Sequence, residues 1–152
     1  MSQLYRDIVF AAPNARLGLP EVNVGLYAGA GGLSRIVRSA GTQIASEVAL
    51  TGHHISVREA FSWGLINKIS KSDESVVPEA IETAVLIASK SPDAVIVSRA
   101  GLRQSLESGS VERATQITEQ QCLQSLKMGE NFKIGLKAFS EKRVPQWVPS
   151  RL

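Results

Sequence analysis

Apolar and polar positions follow two different patterns along the chain, and the change comes near residue 70. Residues 7–12 form a short β-branched and aromatic run that Pro13-Asn14 closes, which predicts a buried strand followed by a turn. The stretch 17–25 is interrupted by glycine and proline, so we expect it to be irregular or strand-like rather than helical. A second short strand is predicted at 65–69. The first part of the chain therefore contains strands as well as helices.

Helices are predicted in both parts by their start and stop signals. Early helices are expected to start at the glycines 29–32, to run through Leu50 with Thr42 as the cap and Gly52 just past the end, and to open at the capping box that Ser56 and Glu59 form. After a polar loop at 70–75, longer helices with one apolar face are predicted at about 78–88, 93–106, 111–128 and 130–143. Residues that share such a face are Val95, Leu102 and Leu106, expected to point inward, and Phe132, Leu136 and Phe139.

This pattern predicts an α/β layer at 1–70 followed by a mostly helical region at 71–152. The chain has 152 residues, 43% of them hydrophobic, which is enough for one core. One or two strands cannot form a stable sheet alone, so we expect missing residues or a partner to complete the layer.

Charge and cysteine content exclude several classes of function. A balance of 17 Lys and Arg against 14 Asp and Glu gives a net charge of +3, which is too weak to indicate nucleic-acid binding. No apolar run is long enough to cross a bilayer, so no membrane partner is expected. The single cysteine, Cys122, cannot form an internal disulfide or a multi-cysteine metal site, which favours a reducing compartment.

The last three residues, Ser150-Arg151-Leu152, differ from the peroxisomal Ser-Lys-Leu address only by one cation for another. The first residues lack the features of a signal or transit peptide. We therefore expect a peroxisomal location if the source is eukaryotic and a cytoplasmic one otherwise. Chance occurrence of the tripeptide is the alternative.

The residues that suggest chemistry are few. Glu21 lies between apolar neighbours, and a partly desolvated carboxyl group can both give and take protons near neutral pH. A surface glutamate on a turn would give the same pattern. His53-His54 has no partner residues at metal-ligand spacing, so no metal site is predicted. The glycine-rich turn at 29–32 favours either phosphate binding at a helix start or simple tight packing.

Beyond these single residues, an ordered string of motifs covers almost the whole chain. Residues 7–21, which read DIVFAAPNARLGLPE, closely resemble the stretch of the enoyl-CoA hydratase/isomerase (crotonase) family in which a D-I-V strand leads to a P-E pair. Further segments resemble the family in the same order and at similar spacing: 24–26, 29–32, Arg35, 50–52, 55–56, 59–60, 63–67 and the ending 139–147.

This resemblance implies a ββα-spiral fold whose helical C-terminal region builds trimers, often paired into hexamers. The ligand it implies is an acyl-CoA thioester, with no cofactor because coenzyme A is part of the substrate. Glu21 corresponds to the second of the family's two acid/base glutamates. Phe139 and Lys142 resemble positions that approach the coenzyme A of a neighbouring subunit. Helix core for Phe139 and a solvated charge for Lys142 are the alternatives.

The activity implied is that of an enoyl-CoA hydratase, a lyase that adds or removes water at the 2,3 double bond in fatty-acid β-oxidation. An isomerase using a single glutamate and a non-catalytic oligomerisation subunit are the alternatives. The family's oxyanion-hole loops and first glutamate precede the D-I-V strand. We therefore expect this chain to represent the C-terminal half of the family fold and to be inactive in isolation.

Overall fold

A computed structural model describes residues 7–29 and 31–152. The chain divides into two compact units, Met1–Glu82 and Thr83–Leu152. The division falls beyond the predicted boundary at residue 70, since Glu79 is bonded to residues of the first unit. The functional roles assigned to 1–70 and 71–152 stay predictions.

Short strands make two pairs in the first unit. β1 (Phe10–Ala11) pairs in parallel with β4 (Lys68–Ile69), and β2 (Arg16–Gly18) pairs in antiparallel fashion with β3 (His54–Ser56). Both predicted strands exist but are shorter than expected. The two pairs are separate two-stranded sheets, and the expectation that such a layer needs completion stays a prediction.

Helices of the first unit agree with the predicted start and stop signals except at two places. Pro20–Val24 is helical where no helix is predicted, and Thr42 is the first helical residue rather than the cap before it, which is Gly41. The helices are a 3₁₀ helix (Pro20–Val24), α1 (Gly32–Ala40), α2 (Thr42–Thr51), α3 (Val57–Ser62) and the start of α4 (Val76–Ala88). The capping box at α3 is confirmed, because the Ser56 hydroxyl accepts from the Glu59 amide while the Glu59 carboxylate accepts from the Ser56 amide. Gly52 ends α2 in the left-handed conformation, with φ of 65°.

The core of the first unit lies where these elements meet. Its buried hydrophobic residues are Val9, Ala11, Leu19, Ala28, Ile36, Ala45, Val48, Ala49, Ile55, Val57, Ala60, Leu65 and Ile66. Glu79 on α4 is buried and bonds to residues that precede the helix. Its carboxylate pairs with the Lys68 ammonium at 2.8 Å and accepts from the Lys71 amide at 3.0 Å and the Ser75 hydroxyl at 2.7 Å.

The second unit is helical throughout its regular part. Its elements are α5 (Pro92–Glu107), α6 (Val111–Thr118), a π-helical segment (Glu119–Leu123), α7 (Gln124–Met128) and α8 (Glu130–Ser140). The helix predicted at 111–128 is therefore interrupted by a widened turn. Ser91 and Ser110 cap α5 and α6 through their side-chain oxygens.

The predicted inward face of α5 is wrong for this chain. Leu102 is 71% exposed and Leu106 is also exposed, while the buried residue of the helix is Asp93. On α8 the buried residues are Asn131 and Ala138, and Leu136 and Phe139 point to solvent. Periodicity identifies the apolar face of a helix, but it does not say whether the same chain covers that face.

The segment after α8 is held against the second unit by two side chains. Asn131 exchanges two hydrogen bonds with the backbone of Val148, both at 2.9 Å. The Trp147 indole donates to the Ser89 carbonyl at 3.0 Å. The chain is therefore fixed up to Val148, four residues before the end.

Candidate active site

Glu21 occupies the first turn of the 3₁₀ helix. The expectation that 17–25 is irregular or strand-like rather than helical holds at β2, which reaches Gly18, and is wrong at Pro20–Val24. Pro20 begins the helix, where its fixed φ is compatible and its missing N–H costs nothing. Gly25 ends it with φ of 73°, and the Leu26 amide donates to the Glu21 carbonyl at 3.0 Å. These bonds close the C-terminal end of the turn that carries Glu21.

The 3₁₀ helix itself contains no buried residue, so its neighbours hold it in place. Leu19, directly before it, is buried in the core and packs against Gly32, where an added Cβ would meet Leu19 Cδ2 at 3.4 Å. On the other side, the Asn23 side-chain amide donates to the Gly52 carbonyl at 3.1 Å. These contacts join the helix to the start of α1 and the end of α2.

The Glu21 carboxyl group is half-buried, and its Oε2 atom is fully buried. No hydrogen bond from the described residues reaches that oxygen. A buried acceptor without a partner costs about 1–3 kcal/mol, so folded proteins seldom retain one without a reason such as catalysis. The Glu21 carboxyl group therefore keeps one buried oxygen that no described residue hydrogen-bonds.

Phe139 and Lys142 lie close together at the end of α8. The Lys142 amide donates to the Phe139 carbonyl at 3.2 Å, and the Arg143 amide donates to the Ala138 carbonyl at 3.0 Å. Lys142 has a φ of 52°, in the left-handed region. Among the described residues it is the non-glycine residue with a positive φ. Phe139 is 86% exposed, so the helix-core alternative does not hold within this chain.

The other candidates from the sequence do not form a site. The Gly32 amide donates to the Gly29 carbonyl at 3.1 Å, so it is already used within the turn, which favours tight packing over phosphate binding. His53 Nδ1 lies 2.5 Å from the Thr51 hydroxyl. Within 7–29 and 31–152, no three His, Cys, Asp or Glu residues are grouped closely enough to hold a metal ion.

A family model described as enoyl-CoA hydratase/isomerase matches residues 3–149, which is nearly the whole chain. The chain belongs to the enoyl-CoA hydratase/isomerase family. Mevalonyl-coenzyme A hydratase of Aspergillus fumigatus is 45% identical over 146 residues, covering 96% of this chain and 54% of that protein. The mitochondrial enoyl-CoA hydratase of Pongo abelii is 34% identical over 137 residues, covering 90% of this chain and 46% of that protein.

Solved structures show the same relationship. An enoyl-CoA hydratase subunit I from Geobacillus kaustophilus superposes with a TM-score of 0.89 at 30% identity, covering 97% of this chain and 56% of that one. The fold is therefore that of the crotonase family. The chain spans about half the length of these relatives.

Within this family member, the predicted site residues fall into two places. Glu21 belongs to the first unit, whereas Phe139 and Lys142 belong together in the second. Their roles stay predictions. Sequence reasoning missed Asn23 and the space that Gly52 leaves for it, because an asparagine in an interrupted stretch gives no periodic signal. The glycine itself was recognised, but only as a helix stop.

Proposed function

We propose that this chain is part of an enoyl-CoA hydratase that adds water to, or removes it from, the 2,3 double bond of an acyl-CoA thioester. The observation that carries the proposal is the buried, unpartnered Glu21 Oε2, at the position of the family's P-E glutamate. Glu21 exchanges a proton with the substrate while the hydroxyl group joins or leaves the β-carbon. No cofactor takes part, because coenzyme A belongs to the substrate. Phe139 and Lys142 contact the coenzyme A of a neighbouring subunit.

Proton transfer by Glu21 is only part of the chemistry. The enolate that forms at the thioester needs preorganised N–H donors, and loss of one such donor costs roughly 10²–10³-fold in rate. The resemblance places these donors before Asp7. We therefore expect the 152 residues alone to be inactive and a completed fold to be active.

The substrate proposed first is a branched 3-hydroxyacyl-CoA of the mevalonyl type. Its support is the 45% identity to a protein named mevalonyl-coenzyme A hydratase, against 34% to the mitochondrial enoyl-CoA hydratase. Straight-chain enoyl-CoA of fatty-acid β-oxidation is the alternative. The ratio of kcat/KM for mevalonyl-CoA dehydration to that for crotonyl-CoA hydration distinguishes the two.

The test compares three proteins: this chain alone, this chain joined to the part of the Aspergillus relative that it does not match, and that fusion carrying Glu21→Gln. Hydration is followed as loss of the conjugated-enoyl absorbance of crotonyl-CoA. We expect the unsubstituted fusion to be active and the other two proteins to be inactive. A fourth protein, the fusion carrying Glu47→Gln at an exposed glutamate on α2, is the control and should stay active. Robust turnover by the isolated chain, or by the Glu21→Gln fusion, would contradict the proposal. Migration of a double bond without hydration would instead favour the isomerase.

We also propose that the protein assembles as a homotrimer or a pair of trimers. The support is the exposed apolar face of α8, which includes Leu136 and Phe139, since large uncovered apolar surfaces are typical of interfaces. A non-catalytic subunit would use the same surface.

For a eukaryotic source we propose peroxisomal delivery through Ser150-Arg151-Leu152. Its support is that the chain is fixed at Val148 while Arg151 and Leu152 are exposed. A fluorescent fusion carrying this tail should enter peroxisomes and should stay cytosolic when Leu152 is removed. Entry without Leu152 would contradict the proposal.

A further inference from the structure

We propose that Asn23 is a positioning residue that holds the Glu21 helix against the end of α2. The inference rests on the proposed function, because it concerns the same proton transfer. It is carried by the hydrogen bond from the Asn23 amide to the Gly52 carbonyl and by the space that Gly52 leaves for it.

The 3₁₀ helix at Pro20–Val24 needs an external support. Short 3₁₀ helices have poor hydrogen-bond geometry and rarely persist without tertiary contacts. Here no residue of the helix is buried, and Val22 and Val24 are exposed. Leu19 anchors only its beginning. The Asn23 side chain supplies the tie at the other end, and it joins positions 29 residues apart.

Gly52 has no side chain, and this leaves room for the side chain of Asn23. Its φ of 65° is in the left-handed region, so a side chain there would be strained. Moreover, a Cβ at this position would lie 2.6 Å from Asn23 Oδ1, which is closer than real Cβ contacts come. The asparagine amide therefore fills the space next to the glycine, and its donor meets the carbonyl of the same residue.

The Asn23–Gly52 hydrogen bond affects catalysis only by fixing the position of the Glu21 carboxyl group. Asn23 lies two residues after Glu21 on the same short helix, so a shift of that helix moves the carboxyl group. Misplacement of a reacting group by about 1 Å costs on the order of 10²-fold in rate. We expect Asn23→Ala to lower kcat by roughly ten- to a hundred-fold with little change in KM, because Asn23 is remote in sequence from the proposed coenzyme A contacts.

The activity test uses the completed fusion described above. Asn23→Ala and Asn23→Asp should both lose kcat, since the aspartate keeps the shape of the side chain but cannot donate when ionised. Asn23→Gln keeps the donor and should recover part of the rate. The matched control is Asn14→Ala, which removes an exposed asparagine whose amide bonds to Asp73. It should leave both kcat and KM unchanged.

A second measurement needs no activity. In the 152-residue chain, the exchange rate of the Leu26 amide reports on the turn, because that amide donates to the Glu21 carbonyl. Asn23→Ala should speed its exchange at least about tenfold. The Ser70 amide, which donates to the Ala11 carbonyl, should keep its rate.

These experiments distinguish failure of the proposed function from failure of the positioning role of Asn23. An active Glu21→Gln fusion overturns the proposed function. If Glu21→Gln is inactive, then either an unchanged kcat in Asn23→Ala or an unchanged Leu26 exchange rate overturns the positioning role. Faster exchange of Leu26 and Ser70 together also overturns it, because the effect would then be general loss of stability.

Discussion

The two units of the chain differ in how many hydrophobic residues they bury. The first unit buries thirteen hydrophobic residues in one cluster. In the described part of the second unit, the buried hydrophobic residues are Ala114 and Ala138, together with the polar Asp93 and Asn131. Both units expose large apolar side chains, such as Tyr27 and Leu50 in the first, but the first unit also has a hydrophobic core of its own.

The second unit exposes several large apolar side chains, and the proposed assembly rests on them. They include Ile96, Leu102, Leu106, Val111, Leu136 and Phe139. Monomeric proteins rarely leave extensive apolar surface in contact with water. We therefore expect the stability of the first unit to depend on internal packing and, if the proposed assembly forms, that of the second to depend more on association.

The largest effect is expected from truncating the core. Ile55 is 1% exposed, and Ile55→Ala should lower the free energy of unfolding by about 2–5 kcal/mol, because it removes packed methylenes and leaves a cavity. Ile96 is 44% exposed, so Ile96→Ala should cost much less. Urea unfolding of both variants measures the difference. Equal losses would contradict the contrast between the units.

Self-association should be weakened by substitution of an exposed apolar residue of the second unit. Leu136→Gln removes an exposed apolar side chain from α8, and burial of such a side chain contributes roughly 1.5–3 kcal/mol. We therefore expect at least about tenfold weaker association, measured by analytical ultracentrifugation. Lys137→Gln, at the next exposed position and about 100° around the helix, is the control and should leave the assembly unchanged. A wild-type monomer at all micromolar concentrations would contradict the assembly proposal.

A smaller effect on stability is expected from the ion pair between Lys68 and Glu79 in the first unit. The hydrogen bond from Lys68, with those from the Lys71 amide and Ser75, lowers the pKa of Glu79 from 4.5 to about 2. Since the folded pKa lies below the unfolded one, this stabilisation is complete above about pH 4.5 and is lost as the pH falls towards 2.

The measurement compares the melting temperature of the wild type with that of Glu79→Gln at each pH. The wild type should be more stable at neutral pH, and the gap should close between pH 4.5 and 2. Other carboxyl groups titrate in both proteins, so their effects cancel in the difference. A gap that does not depend on pH would show that the ion pair contributes nothing.

Most of the helices could be predicted from the sequence because their signals are local. The Ser56 and Glu59 capping box and the Gly52 stop each need only a few neighbouring residues. The burial of helix faces could not, because it depends on surfaces distant in sequence or on another chain. That is why Leu102, on a periodic apolar face, is exposed.

The candidate site shows the same limit. Glu21 was identified from its apolar neighbours and from the ordered family motifs, and the structure adds that one of its carboxyl oxygens is buried without a partner. Asn23 was not predicted, because its partner Gly52 lies 29 residues away and no local pattern links the two. Contacts of this kind become visible only when the fold is known.

The smallest predicted effect tests whether the contrast between the units extends to local structure. Ser56 caps α3 in the first unit, and Ser110 caps α6 in the second by accepting from the Arg113 amide at 3.2 Å. A helix cap satisfies a backbone N–H of its own helix, so its contribution should not depend on the surrounding core. We expect Ser56→Ala and Ser110→Ala each to cost about 1 kcal/mol in urea unfolding. Ser62→Ala, whose hydroxyl donates to the Glu59 carbonyl at the end of α3, is the control and should change little. A loss at Ser56 several times that at Ser110 would show that the second unit is only loosely coupled to the unfolding transition, and the contrast would then include cooperativity as well as packing.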